Sequence, residues 1–189
     1  MSTEKKHSVC PVERAGALEF AWRKWLQNPN KILRPHIREG MTVLDLGCGP
    51  GFFTLEMARL AGNSGKVIAA DLQEGMLNKL RAKIQHTLLA TRVRFHQCLA
   101  NKIGLSEKFD FILVFYMLHE VPDPANFLAE LRSLLKPGGR VLLVEPGFHV
   151  TRGEFQEAIG RMSQAGFDVV ESPRIRFSRA VVLRQADGR

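Results

Sequence analysis

Residues 109–118 read FDFILVFYML, a run with one charge near its start and no polar alternation after it. A strand with one wet face alternates apolar and polar side chains; a strand covered on both faces does not. Ten residues are too few to cross a bilayer. The run therefore predicts a parallel strand buried between two layers of helices, and few architectures provide that environment.

The rest of the chain agrees with that prediction. Apolar stretches at Thr42–Leu46, Lys66–Asp71, residues 92–96 and residues 140–145 read as further strands. Helical spacing separates them. Phe53, Met57 and Leu60 share one face over residues 52–61, broken by Asn63-Ser64-Gly65, and Leu77, Leu80 and Ile84 share one over Glu74–Ile84. Asp123-Pro124 supplies an N-cap and a first-turn proline for a helix whose buried side is Phe127, Leu128, Leu131, Leu134 and Leu135. Lys136-Pro137-Gly138-Gly139 stops it. Thr151 and Glu154 form a capping box for a helix with Phe155, Ile159 and Met162 on its inner side, ended by Gly166. Phe167–Glu171 and residues 175–183 then follow with no room for a crossover helix. They predict an antiparallel hairpin turning at Ser172-Pro173. The fold class is α/β, a doubly wound sheet, mostly parallel, with an antiparallel strand near its end. Residues 1–40 form an N-terminal helical segment and 41–189 the domain proper. Leu18, Trp22, Trp25 and Leu26 lie on one face of that segment. It is either a helix packed on the domain's side or a lid over the site; periodicity does not decide between them.

Composition excludes several classes. Hydrophobic residues at 45% and charged residues at 24% are globular values, not those of a disordered chain. The first residues, MSTEKKHS, lack the apolar core of a secretory signal. Cys10, Cys48 and Cys98 are odd in number and without metal spacing, so the expectation is a reduced, cytoplasmic protein with no metal site and no transmembrane segment. The net charge of +8 is split between residues 1–40 and 172–189, with a neutral middle. An anionic partner and plain solubility explain such a balance equally well.

In doubly wound sheets ligands bind beyond the carboxyl ends of the strands. There lies VLDLGCGPG, residues 43–51, with three glycines in five positions. A glycine loop between strand and helix lets backbone N–H groups approach a ligand closely. The spacing Gly47-x-Gly49-x-Gly51 departs from the dinucleotide pattern, since Phe52 and Phe53 stand where its last glycine could fall. The lysine and hydroxyl residue of a triphosphate loop are also missing. These differences disfavour a nicotinamide oxidoreductase. Asp45 sits inside an apolar strand, where an unpaired carboxylate is costly. Asp71 ends the next strand, and a carboxylate there suits a ribose diol.

VLDLGCGPG, VIAADLQEGML, FDFILVFYMLHEVPD and LLKPGGRVLLVEP occur in this order. With them the chain, over roughly residues 30–171, resembles the class I S-adenosylmethionine-dependent methyltransferases. It is most similar to the type 11 enzymes, which include ubiquinone/menaquinone biosynthesis methyltransferases. The resemblance implies a Rossmann-like seven-stranded sheet in the order 3-2-1-4-5-7-6 and S-adenosyl-L-methionine as cofactor. It implies that Asp45, Gly47, Cys48, Gly49 and Gly51 surround the methionine part and that Asp71 binds the ribose. Leu72 and Met76 pack on the adenine and Phe115 faces the sulfonium end, although core packing explains each of these three alone. One departure stands out. After the third strand the subgroup usually carries an aspartate for the adenine amino group, whereas here Leu99, followed by Ala100, occupies that place.

Methyl transfer needs a base only when the nucleophile arrives protonated. At the strand ends the groups able to serve are Tyr116, His119, Glu120, Glu145 and His149. His149, His119 and Tyr116 are taken as the catalytic set, although His149 could equally cap or pack near the following helix. The link after the fifth strand is too short to form a substrate cover. That leaves the N-terminal segment, with Trp22, Arg14, Arg23 and Lys24, and the Pro173 turn, with Arg174 and Arg176. The expectation is a small-molecule acceptor, anionic or membrane-proximal, bound at Trp22, Arg174 and Arg176. An RNA or protein substrate is the second reading, lowered by the lack of a basic-aromatic RNA module. A non-catalytic cofactor-binding or partner-binding subunit is the third. A homodimer or a partner subunit would complete an otherwise open site.

Overall fold

The computed structural model describes residues 27–186. Seven strands form one sheet: β1 (Thr42–Leu46), β2 (Lys66–Asp71), β3 (Val93–Gln97), β4 (Phe109–Phe115), β5 (Leu135–Pro146), β6 (Phe167–Glu171) and β7 (Ser178–Gln185). Their order is β3-β2-β1-β4-β5-β7-β6. Neighbours from β3 to β5 are parallel, and β7 runs antiparallel to both β5 and β6. This is the expected sheet. The helices are α1 (Pro29–Leu33), α2 (Thr54–Leu60), α3 (Glu74–Ile84), α4 (Pro124–Ser133) and α5 (Arg152–Gln164).

The period of two along each strand divides the core. Val43, Val67, Ala69, Phe111, Leu113 and Leu142 face one side, where Met57 and Ala58 of α2 and Leu77, Leu80 and Ile84 of α3 cover them. Leu44, Leu46, Ile112, Val114, Val141 and Leu143 face the other, under Leu128 and Leu131 of α4 and Phe155 and Met162 of α5. Burying one such side chain fully contributes roughly 1.5–3 kcal/mol. A helix cap contributes about 1, so the two apolar layers set the stability and the caps set where helices begin. Asp123 caps α4 by accepting from the Asn126 N–H at 3.1 Å, and Thr151 and Glu154 complete the capping box of α5.

Several boundaries differ from the sequence expectation. The fourth strand ends at Phe115 rather than running to 118, because Tyr116 turns the chain with φ +60°. Leu135 belongs to a strand and not to the helix before it. Leu135 pairs with Phe109, and the register resumes only at Arg140 with Phe111, so β5 spans the Pro-Gly-Gly stretch through an irregularity instead of starting after it. The third strand lies one residue later than expected, at Val93–Gln97. The last strand starts at Ser178 rather than 175, which lengthens the hairpin connection. The amphipathic face carrying Leu18, Trp22, Trp25 and Leu26 lies outside the described residues, as do Arg14, Arg23, Lys24 and Cys10. Among the described residues no helix is long and apolar enough to cross a membrane.

Candidate active site

The parallel strands deliver their C-terminal residues to one edge of the sheet. Here β1 passes into the glycine loop. The Gly47 and Cys48 N–H groups both donate to the Ala70 carbonyl, at 2.8 and 3.0 Å, so the loop is tied to β2 at its root. Asp45 points to the α2 side and accepts from the Thr54 hydroxyl at 2.5 Å, which answers the buried carboxylate the sequence posed. Asp71 is 8% exposed. One of its oxygens accepts from the Gly49 N–H at 2.8 Å, the other from the Gln73 N–H at 2.8 Å. Burial pushes its pKa above the ordinary aspartate value, while these backbone N–H groups pull the other way. A carboxylate offers about four lone-pair positions. The Gly49 and Gln73 N–H groups occupy two and the Leu72 N–H also acts on the carboxylate, which leaves acceptor capacity for the hydroxyls of a ribose.

Gly49 has φ +52°, and a Cβ there would meet nothing within 4 Å. The tip of the loop therefore faces open space. Gly51 has φ +88°, and a Cβ would lie 2.2 Å from Leu80 Cδ1. Gly51 thus serves the packing of loop on helix, and Gly49 leaves backbone accessible to a ligand. With the spare valences of Asp71, this arrangement fits S-adenosylmethionine.

Around that cradle Met76 is buried and Leu72 is at the boundary of exposure. Phe115 is buried and packs against Phe53 at 4.3 Å and Tyr116 at 4.4 Å between ring centroids. Phe52 meets Phe53 edge-on, and Phe148 meets Tyr116 in the same way. Five rings therefore run from the glycine loop to the turn after β5. Phe52, Phe53 and Phe148 are additions to the expected site, and the Phe-Phe pair directly after the glycines is the sequence signal for two of them. Cys48 and Cys98 are both buried free thiols. Burial raises both, Cys48 beyond the usual thiol range and Cys98 to about 12, with the Asp71 charge adding to each. Such thiols are packing groups rather than nucleophiles.

Leu99 is 67% exposed. Its N–H and carbonyl are already paired with Lys102, at 2.9 and 3.2 Å. The leucine side chain offers no acceptor in place of the aspartate, and the Leu99 carbonyl keeps one lone pair beside its bond from Lys102. Ala100 sits at the same exposed turn. The segment beyond it is held by Glu130 of α4, whose oxygens accept from the Ile103 and Gly104 N–H groups at 2.8 and 2.7 Å. No sequence signal distinguished Glu130 from an ordinary exposed helix residue.

The polar groups after β4 and β5 form a second cluster. Glu145 is 2% exposed. One oxygen accepts from the Leu118 N–H at 2.9 Å and the other bonds His119 Nδ1. His119 Nε2 lies 3.9 Å from Glu120, and the His149 ring packs edge-on against it with centroids 4.9 Å apart. Burial works against charge on His119, but the hydrogen bond and charge of Glu145, with Glu120 behind it, outweigh this and hold its pKa above 6.5. Burial likewise pushes Glu120 up. The Tyr116 hydroxyl is already bonded to Gln27 and, at 2.6 Å, to Ser178. Its positive φ is a strained conformation for a bulky residue. Tyr116 is thus brought to the site as a fixed wall.

The structure separates the two arginines of the Pro173 turn. Arg174 lines a groove beside α5 with Arg152 and Arg179. Arg176 instead lies over the Phe177 ring, 5.3 Å from its centroid. Trp22 lies outside the described residues. Among the described residues no group of three His, Cys, Asp or Glu side chains is placed to hold a metal ion.

Residues 37–172 match the family model described as a methyltransferase domain. The chain belongs to that family. With it comes the expected class, the S-adenosylmethionine-dependent methyltransferases, and S-adenosylmethionine as the cofactor. The chain is 31% identical over 145 residues to the ubiquinone/menaquinone biosynthesis C-methyltransferase UbiE of Marinomonas sp. (strain MWYL1), covering 76% of this chain and 56% of that one. It spans about half the length of the curated relatives it matches. Among solved structures it is similar to a SAM dependent methyltransferase from Aquifex aeolicus, with 28% identity, a TM-score of 0.83 and coverage of 93% of this chain and 98% of that one. It is also similar to TrmN from Thermus thermophilus, with 26% identity, a TM-score of 0.69 and coverage of 89% and 52%.

Proposed function

We propose that this protein transfers a methyl group from S-adenosylmethionine to a small-molecule acceptor, with Asp71 and the glycine loop as the cofactor cradle. The observation that carries the reading is Asp71. It holds the open tip of the loop through the Gly49 N–H and keeps acceptor capacity beyond its backbone partners. When bound, S-adenosylmethionine supplies an electrophilic methyl group on a sulfonium. Asp71 binds the ribose hydroxyls, and Leu72 and Met76 cover the adenine. The N–H groups of residues 47–51 are used by Ala70, Asp71 and Cys48, so the loop holds the amino-acid end through carbonyls that accept from its amino group. Phe115 and Tyr116 exclude water from the reacting end. His119 is the base. Glu145 binds Nδ1, which leaves Nε2 as the atom that takes the acceptor's proton, and the carboxylate then stabilises the imidazolium. His149 packs on that ring as support. The small-molecule reading is favoured by the C-methyltransferase relatives named for quinone biosynthesis. The positive charge of +8 favours RNA as the second reading.

Calorimetry with S-adenosylhomocysteine tests the cradle, and absence of heat removes the central claim. A label-transfer assay on a cell extract, split into small-molecule, RNA and protein fractions, tests the acceptor. Label in the small-molecule fraction is expected. Label confined to RNA or protein moves the assignment, and no label with intact cofactor binding points to a non-catalytic subunit.

The His119–Glu145 pair gives a pH prediction. A raised imidazole must lose its proton before it can act as a base, so kcat/KM is expected to rise with pH through one ionisation above 6.5. Glu145→Gln removes the charge that raises it and shifts this limb to lower pH. The stability effect has the opposite sense. The charged pair stabilises the fold below pH 6.5, and this contribution is lost as pH rises through the raised folded value. A limb that stays in place in Glu145→Gln removes His119 as the base.

A further inference from the structure

Between α5 and the connection from β6 to β7 lies a groove of about 350 Å³. That is the lower end of the range for small-molecule sites. Phe155, Ile159, Pro173, Ile175 and Val181 give it apolar walls. Three arginines line it together with these walls: Arg152 in the first turn of α5, Arg174 on the connection and Arg179 on β7. None of the three is paired with a carboxylate among the described residues. The Arg179 Nε donates to the Val150 carbonyl at 3.1 Å, which fixes its fork and leaves its terminal nitrogens as donors. Glu154, in the first turn of α5, is committed to the capping box with Thr151. Three like charges around one concave apolar surface repel each other unless an anion joins them. Arginine is also the side chain best suited to bind a carboxylate or sulfonate through two parallel hydrogen bonds.

We infer that this groove binds a small organic anion with an apolar body, its charge held by Arg152, Arg174 and Arg179 and its body against Phe155, Ile159 and Ile175. The site is separate from the glycine-loop cradle. The lining residues come from α5, β7 and the 172–175 turn, and none comes from residues 45–51 or 71–76. The groove abuts the cofactor site at Ser178, whose hydroxyl bonds Tyr116, without entering the cradle. It also revises the pairing expected from the sequence: Arg174 acts with Arg152 and Arg179, and Arg176 stacks on Phe177 outside the groove.

The test uses 2-naphthoate as probe, with the neutral 2-naphthylmethanol and inorganic phosphate as controls. Binding to the full chain is followed by calorimetry and by amide chemical shifts. Naphthoate is expected to bind at least about tenfold more tightly than either control, because only it uses both walls and charges. Shifts are expected at residues 152–159 and 172–181. Arg152→Gln with Arg174→Gln should weaken it at least about tenfold. Arg152→Lys with Arg174→Lys, which keeps the charge, should retain part of the affinity. S-adenosylhomocysteine affinity and the melting temperature report whether each variant is folded. Equal binding of naphthoate and its alcohol, unchanged binding in the glutamine variant, no binding, or shifts centred on residues 45–51 overturns the proposal. So does an arginine-dependent association with phosphatidylcholine vesicles containing phosphatidylglycerol when naphthoate is silent, since the groove would then read a lipid surface.

Discussion

Asp71→Asn is expected to weaken S-adenosylhomocysteine binding about a hundredfold. Two hydrogen bonds from ribose hydroxyls to an ionised carboxylate are at stake, and bonds of that kind contribute about 1.5–3 kcal/mol each. Asparagine keeps the shape and one carbonyl acceptor. A loss of roughly 2.7 kcal/mol corresponds to two decades in Kd. The same change also touches the fold. Both Asp71 oxygens accept backbone N–H groups, from Gly49 and Gln73, and the new amide presents a donor to one of them. A stability loss of about 1–2 kcal/mol follows from that mismatch. For a chain of this length each kcal/mol moves the melting temperature by roughly 2–4 °C. Calorimetry at a temperature where both proteins are fully folded separates the two effects. A variant that melts earlier but binds the product unchanged would make Asp71 a loop anchor only.

How much of this site could be read in advance depended on how local each interaction is. Asp71 and the glycines were legible because strand, loop and helix are contiguous, and the spacing itself excluded the dinucleotide pattern. The run FDFILVFYML indicated a parallel strand covered on both faces, while the order of the strands came only with the family resemblance that the ordered motifs carry. Glu145 was visible only as a carboxylate at a strand end. Its actual use, with both oxygens committed to Leu118 and His119, depends on the neighbouring ends of β4 and β5 across the sheet. No spacing within one segment encodes that. Glu130 illustrates the same limit, since its partners Ile103 and Gly104 lie 27 and 26 residues away. The backbone of Tyr116 was not legible for a different reason. Positive φ is ordinarily signalled by glycine or asparagine, and here a tyrosine takes it, held by its ring contacts and by Ser178 and Gln27. The Pro-Gly-Gly stretch looked like a helix stop followed by a loop. Its helix does end there, but Leu135 finds a partner in Phe109, so the strand begins earlier than its composition suggests.

The second large effect comes from setting two glycines of the loop against each other. Gly51→Ala is expected to destabilise the protein by about 3 kcal/mol. Its φ of +88° costs an alanine roughly 1–2 kcal/mol. The added Cβ falls 2.2 Å from Leu80 Cδ1 and 3.1 Å from Cγ, and Leu80 is fully buried under the sheet, so relief requires repacking that costs about 1–3 kcal/mol. The expected fall in melting temperature is about 10 °C. Gly49→Ala carries the backbone strain alone, because its Cβ meets nothing within 4 Å. About 1 kcal/mol is expected in stability. The methyl then occupies the open space at the loop tip, and S-adenosylhomocysteine affinity should fall at least about tenfold in a protein that is still folded. Thermal melts and calorimetry on the pair decide the point. A loop that is only a tight corner predicts equal product affinity per folded molecule in both variants. A cradle predicts that stability is lost at Gly51 and binding at Gly49, two residues apart on the same turn.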